Sequence, residues 1–172
     1  MAVWKLYRYE DQVLAPTMVI TEEGVFVETQ PVHCVSINSP KDMRELLHEL
    51  ISSEIGKAKE EDLNNPEQPD STSSQPVLLE LLNIQRWKEF EKHALMYTLH
   101  RNGDTLTMHV TGRGSDGMWV VAELRTRSFD LSQSTDEACK SIADELITRR
   151  PIETAGTLGL AKAMLPAPRE AD

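Results

Sequence analysis

Two runs of alternating apolar and polar residues, 94–101 and 104–111, are separated only by Asn102-Gly103. Asn-Gly is the preferred central pair of a two-residue type I′ turn, because both central positions need positive φ. Such a hairpin pairs Arg101 with Asp104, places His100 opposite Thr105 and His109 opposite Met96, and sorts the side chains by face. Leu95, Tyr97, Leu99, Leu106, Met108 and Val110 share one face; Met96, Thr98, His100, Thr105, Thr107 and His109 share the other. The first is expected to be core and the second solvent or partner surface. The loop from Gly112 to Gly117 then leads into a strand predicted over 118–127, with Met118, Val120, Ala122 and Leu124 apolar, so a three-stranded antiparallel meander is expected.

The remaining periodicities place this meander in an α+β fold. Residues 3–9, 18–21, 25–28 and 31–37 are short runs rich in β-branched and aromatic residues, with Glu22-Glu23-Gly24 as a turn. Ser39 before Pro40 is a helix start, and Met43, Leu46, Leu47, Leu50, Ile51 and Ile55 make an apolar stripe that predicts a helix over 40–59. A second helical region, 77–93, is expected to break near Asn83 into two short helices. Ser134 with Glu137 forms a capping box that opens a helix to about Arg149, its stripe made by Ala138, Cys139, Ile142, Ala143, Leu146 and Ile147. Arg149 and Arg150 complement the negative end of that helix before Pro151 stops it. The expected architecture is an antiparallel sheet of six or more short strands with about three amphipathic helices against one side. It is read as one domain over 1–151, followed by a tail, 152–172, that is loose or docks as a short helix.

The 172 residues carry 28 Asp and Glu against 18 Lys and Arg, a net charge of −10. That balance argues against binding nucleic acid by counterion release, which needs clustered Lys and Arg. Half of the charge comes from one loop, 60–75, where Glu60, Glu61, Asp62, Glu67 and Asp70 alternate with Pro and Ser and no Lys or Arg occurs. A stretch of that composition buries too little apolar surface to offset its ordering entropy, so a mobile acidic loop is expected. No run of about 18 apolar residues occurs, so no membrane-spanning helix is expected. The first nine residues alternate charged and apolar side chains, without the apolar core of a secretory signal. Cys34 and Cys139 are therefore expected to be reduced thiols in the cytoplasm.

No motif points to catalysis. In the type I′ register His100 and His109 are four pair positions apart, about 13 Å at roughly 3.3 Å per residue, too far to share an ion held about 2 Å from each ligand. No metal site and no cofactor are expected. His33 and Cys34 are neighbours in a strand and point to opposite faces, so they do not make a nucleophile–base pair with each other. The Gly-Arg-Gly at 112–114 precedes a strand, whereas a phosphate loop precedes a helix. Glu89 and Glu91 lie two apart on a helix and face apart. For binding, the acidic loop and the polar hairpin face remain, and the residues named for contact with a basic protein partner are Glu60, Glu61, Asp62, Glu67, Asp70, His100 and His109.

The segment from Leu81 to Ala94, Leu-Leu-Asn-Ile-Gln-Arg-Trp-Lys-Glu-Phe-Glu-Lys-His-Ala, followed by strand, turn and strand, resembles a family of bacterial immunity proteins of contact-dependent growth inhibition. In that family a short helix leads into Ser-Trp-x-x-Phe-x-x-x-Ala and then β-hairpins; here Trp87, Phe90 and Ala94 keep the spacing and Arg86 stands in place of serine. The resemblance spans about residues 76–126 and transfers Trp87, Phe90 and Ala94 as a scaffold signature only. It implies a small cytoplasmic, non-catalytic protein that binds and neutralises a toxin domain, often a basic nuclease. Two other classes stay open: an enzyme or small-ligand protein with a pocket built around His33, Cys34 or carboxylates, and an adaptor that oligomerises through the apolar stretch 158–165.

Overall fold

The computed structural model describes residues 1–57, 77–114 and 119–149. The acidic loop and the 152–172 tail, with Glu60, Glu61, Asp62, Glu67 and Asp70, lie outside the described residues. The chain is α+β, built on an eight-stranded sheet with the order β3-β2-β1-β5-β6-β7. These strands are β1 (Ala2–Tyr9), β2 (Gln12–Ile20), β3 (Phe26–Ser36), β5 (Ala94–Asn102), β6 (Thr105–Arg113) and β7 (Trp119–Val121). Off this path β4 (Gly56–Lys57) pairs in parallel with β2, and β8 (Arg127–Asp130) pairs antiparallel with β6. The helices are α1 (Pro40–Ser52), α2 (Val77–Leu82), α3 (Trp87–His93) and α4 (Thr135–Thr148).

The first three strands replace the four expected. The runs expected at 25–28 and 31–37 join in β3, which passes through Gln30-Pro31 with a cis peptide bond. A proline without an N–H is tolerated there because β3 is the edge strand. Pro16 lies inside β2, and the β2–β3 register shifts between Pro16 and Thr17. The β1–β2 hairpin turns on Glu10-Asp11, with Glu10 in the left-handed region at φ 48°.

Helix α1 ends at Ser52, seven residues before the expected 59. Its last carbonyls are taken by other donors: the Ser53 hydroxyl donates to Leu50 O at 2.7 Å and Arg101 Nη1 donates to Ile51 O at 2.7 Å. The chain then extends, so Gly56 and Lys57 join the sheet beside Val19 and Ile20. At the other end Ser39 caps no backbone N–H; its hydroxyl bonds the Asp42 carboxylate instead. The break expected near Asn83 is present. Asn83 sits at φ 53°, with Ile84 N–H donating to Leu79 O and Asn83 N–H to Glu80 O, the Schellman arrangement that closes a helix on a left-handed residue. Ser134 caps α4, its hydroxyl accepting from Glu137 N–H at 3.1 Å.

Side chains alternate across β1 and β5, and both faces are covered. Trp4 and Leu6 of β1, with Leu95, Tyr97, Leu99, Leu106, Met108 and Val110, pack against Met43, Leu46, Leu47, Leu50 and Ile51 of α1 and Ala138, Cys139, Ile142, Ala143 and Leu146 of α4. Tyr7 and Leu14 face the other way and pack with Leu78, Leu79, Phe90 and Ala94. The expectation of helices on one side is therefore corrected: α1 and α4 cover one face and α2 and α3 the other. The apolar hairpin face is fully core, and each fully buried leucine contributes about 1.5–3 kcal/mol.

The strand expected over 118–127 is also corrected. A 3-10 turn, Glu123–Arg125, divides it, so β7 and β8 pair with different halves of β6. Val120 and Val121 are exposed, whereas Trp119 turns back into the interior.

Candidate functional site

The hairpin turn differs from the Asn-Gly expectation by one residue. Asn102 pairs with Thr105, so Gly103 and Asp104 are the central residues, and only Gly103 has positive φ, 60°. A type I′ turn needs positive φ at both central positions; one at the first is the type II′ pattern. The slip moves each residue's partner by two, so every side chain keeps its face while the pairing changes. His100 now lies opposite Thr107 and His109 opposite Thr98. The two imidazoles are diagonal neighbours, their ring centroids 4.9 Å apart at an interplanar angle of 74°. The separation of about 13 Å derived from the type I′ register is overturned.

These histidines sit in a half-exposed polar strip on the part of the sheet that α2 and α3 leave open. The pairing aligns Lys5 with Thr98 and Thr98 with His109, and in the next row Val3 with His100 and His100 with Thr107. The Thr107 and Ser128 hydroxyls are 3.1 Å apart at the β8 side. At the β1 side the Glu28 carboxylate accepts from Lys5 Nζ at 2.8 Å and from the Tyr7 hydroxyl at 2.7 Å, both on Oε1. Burial, then Glu28's charge, pushes the Tyr7 hydroxyl well above its ordinary range, which keeps it a donor. Burial, then the neighbouring His109, holds His100 below the ordinary histidine range. The strip thus presents an ion pair, hydroxyls and two imidazoles side by side.

A second concave surface lies between α1 and α4. It is an open groove of about 420 Å³ whose lining is charged: Lys41, Arg44 and Lys140 against Glu45, Asp136 and Glu137, with His48 Nε2 2.5 Å from Asp136 Oδ1. The sequence reading missed it because it joins two helices far apart in the chain.

The Cys-His reading gains no geometry. Cys34 is exposed, its thiol 3.1 Å from Gln12 Oε1 and pushed up by partial burial, away from a reactive thiolate. Cys139 is packed in the core, its thiol pushed up to about 11 by burial and then by Asp136.

Phe90 and Ala94 are buried, and Trp87 packs against them. Phe90 lies 5.0 Å from Trp87, 5.3 Å from Tyr9, 5.6 Å from Tyr7 and 6.4 Å from Trp119, ring centre to ring centre. Trp119 Nε1 donates to Ala94 O at 3.3 Å, tying the start of β7 to the start of β5. The participation of Trp119 carried no sequence signal beyond an aromatic residue after a glycine-rich loop.

Two buried arginines were also missed. Arg149, expected to complement the negative end of α4, is buried; Nη2 donates to Thr111 O at 3.0 Å and the guanidinium lies 5.9 Å from the Tyr97 ring centre. Arg8, in the middle of an apolar run, is buried too, and its Nε donates to Leu146 O at 3.2 Å in the last turn of α4. Glu145 stands 3.7 Å from Arg149 and 3.6 Å from Arg127. The helix end is thus met by positive charge from a strand as well as from its C-cap residue, Arg149.

No protein-family model and no curated protein matches the chain. A solved structure does. A Neisseria meningitidis protein of unknown function superposes with a TM-score of 0.56 over 86% of this chain and 94% of its own, at 11% identity. The two share a fold. Among the described residues no helix is long and apolar enough to cross a membrane.

Proposed function

We propose that this chain is a non-catalytic, stoichiometric protein-binding protein, an immunity protein that neutralises a toxin domain by direct contact in the cytoplasm. The observation that carries this reading is the Trp87-x-x-Phe90-x-x-x-Ala94 unit. Its aromatic residues weld α3 to the start of β5 and to Tyr7, Tyr9 and Trp119, the scaffold role the resemblance implies. That unit packs against the start of β5, and the β5–β6 hairpin carries the polar strip with His100 and His109. Half-exposed hydroxyls, imidazoles and an ion pair on a sheet suit contact with a protein surface that is itself polar.

The net charge of −10 suits a basic partner, and the acidic loop supplies half of it. Exposed charges of this kind act through the rate of encounter more than through lifetime. Replacing Glu60, Glu61, Asp62, Glu67 and Asp70 by Gln or Asn is expected to slow association about tenfold at low salt, with little change in dissociation.

The test is recovery of a 1:1 complex between the full chain and the toxin domain encoded beside its gene. Absence of any toxin or large secreted protein among the neighbouring genes, or failure of the pair to associate, overturns the reading. A cysteine-nucleophile enzyme would require a thiol titrating below the ordinary cysteine range, and the environments of Cys34 and Cys139 both push the other way; the wider enzyme or small-ligand reading instead needs a deep pocket lined by convergent His33, Cys34 or carboxylates.

A further inference from the structure

The corrected hairpin register places two imidazoles where no sequence motif would put them. The step from His100 to His109 crosses the turn, and it is the slip from a type I′ to a type II′ pattern that makes the two residues diagonal neighbours. Both side chains are half-buried, and their rings contact each other. Thr107 lies opposite His100 and Thr98 opposite His109, both small and polar.

We propose that His100 and His109 form a two-imidazole binding site for a borderline divalent transition-metal ion, of which Zn²⁺ is the natural probe. The distance between the rings carries the proposal. With Zn–N bonds of about 2.0–2.1 Å and each ring centre roughly 1.1 Å behind its nitrogen, a tetrahedral bite sets the two ring centres about 5 Å apart. The observed separation is 4.9 Å.

Among the described residues no third histidine, cysteine or carboxylate joins the pair, so water completes the coordination sphere and leaves positions open to a donor from outside the chain. Imidazole ligands select Cu²⁺, Ni²⁺ and Zn²⁺ over the hard cations Mg²⁺ and Ca²⁺, which require oxygen. This inference is independent of the immunity reading, because it concerns the isolated chain.

The experiment is a Zn²⁺ titration of the full chain followed through the imidazole resonances of its five histidines by NMR, at a pH above neutrality. The expected result is one site whose filling moves the His100 and His109 resonances together. H100N and H109N each weaken binding at least tenfold while melting at an unchanged temperature, and C34S and H48N leave it intact. Mg²⁺ is expected to move neither resonance. The inference is overturned if Zn²⁺ leaves both resonances in place, moves only those of His33, His48 or His93, or binds equally well after either substitution.

Discussion

Replacing Phe90 probes the structure where α3 meets the sheet. The side chain is wholly buried, with four aromatic rings between 5.0 and 6.4 Å from it. Truncating a buried phenylalanine to alanine costs about 3–5 kcal/mol. Ring pairs at such distances add roughly 0.5–1.5 kcal/mol each beyond area burial, so F90A is expected near the top of that range, about 4–5 kcal/mol. F90L keeps most of the buried apolar area and forfeits the ring contacts, for an expected cost of about 1–2 kcal/mol. For a chain of this size each kcal/mol lowers the melting temperature by about 2–4 °C, so F90A should melt roughly 10–15 °C below the parent. Urea unfolding followed by tryptophan fluorescence measures both, because Trp87 and Trp119 lie in the same cluster. A cost below about 1.5 kcal/mol for F90A would refute the claim that this unit anchors α3 to the sheet.

Three further outcomes follow from particular residues. Gly103 is the only central turn residue with positive φ, so G103A should destabilise the hairpin by about 1–2 kcal/mol in chemical denaturation, and Asn102→Ala by less. Native alkylation at pH 8, read by mass spectrometry, should modify Cys34 while Cys139 stays protected until unfolding, since burial and a thiol pushed up to about 11 both shield Cys139. The Asp130 carboxylate accepts from Ser132 Oγ at 2.6 Å, Ser132 N–H at 3.0 Å and Gln133 Nε2 at 3.0 Å, and these bonds hold it below the ordinary carboxylate range. A depressed carboxylate stabilises the fold above its unfolded-state value and loses that contribution as pH falls through its folded value. D130N should therefore flatten the acid limb of the stability–pH curve and leave the shape near neutrality unchanged.

Local signals in the chain located most elements, and the misses share a cause. The amphipathic stripes of α1 and α4, the Schellman break at Asn83 and the capping box at Ser134 are all set by residues within a turn of one another, and each was legible. The alternation of the hairpin was legible too, because a slip of the turn by one residue exchanges partners without exchanging faces. What was not legible depends on distant chain. Pro31 sits within a strand because β3 is an edge, α1 stops early because Arg101 takes a terminal carbonyl, and Arg149 is buried because Thr111 and Tyr97 receive it. The candidate site suffered most. Choosing Asn102-Gly103 rather than Gly103-Asp104 as the turn separated His100 from His109 on paper and removed them as a pair, although the same two residues had been singled out for contact.

The proposal of protein binding without catalysis is tested most directly by a protection titration. Under the proposed immunity function, a toxin domain encoded beside the gene is assayed for its own activity while the full chain is added in increasing amounts. Activity should fall linearly and vanish at one equivalent, with H100N and H109N shifting the curve and F90L leaving its endpoint unchanged. Undiminished toxin activity at a tenfold excess of folded chain would contradict it.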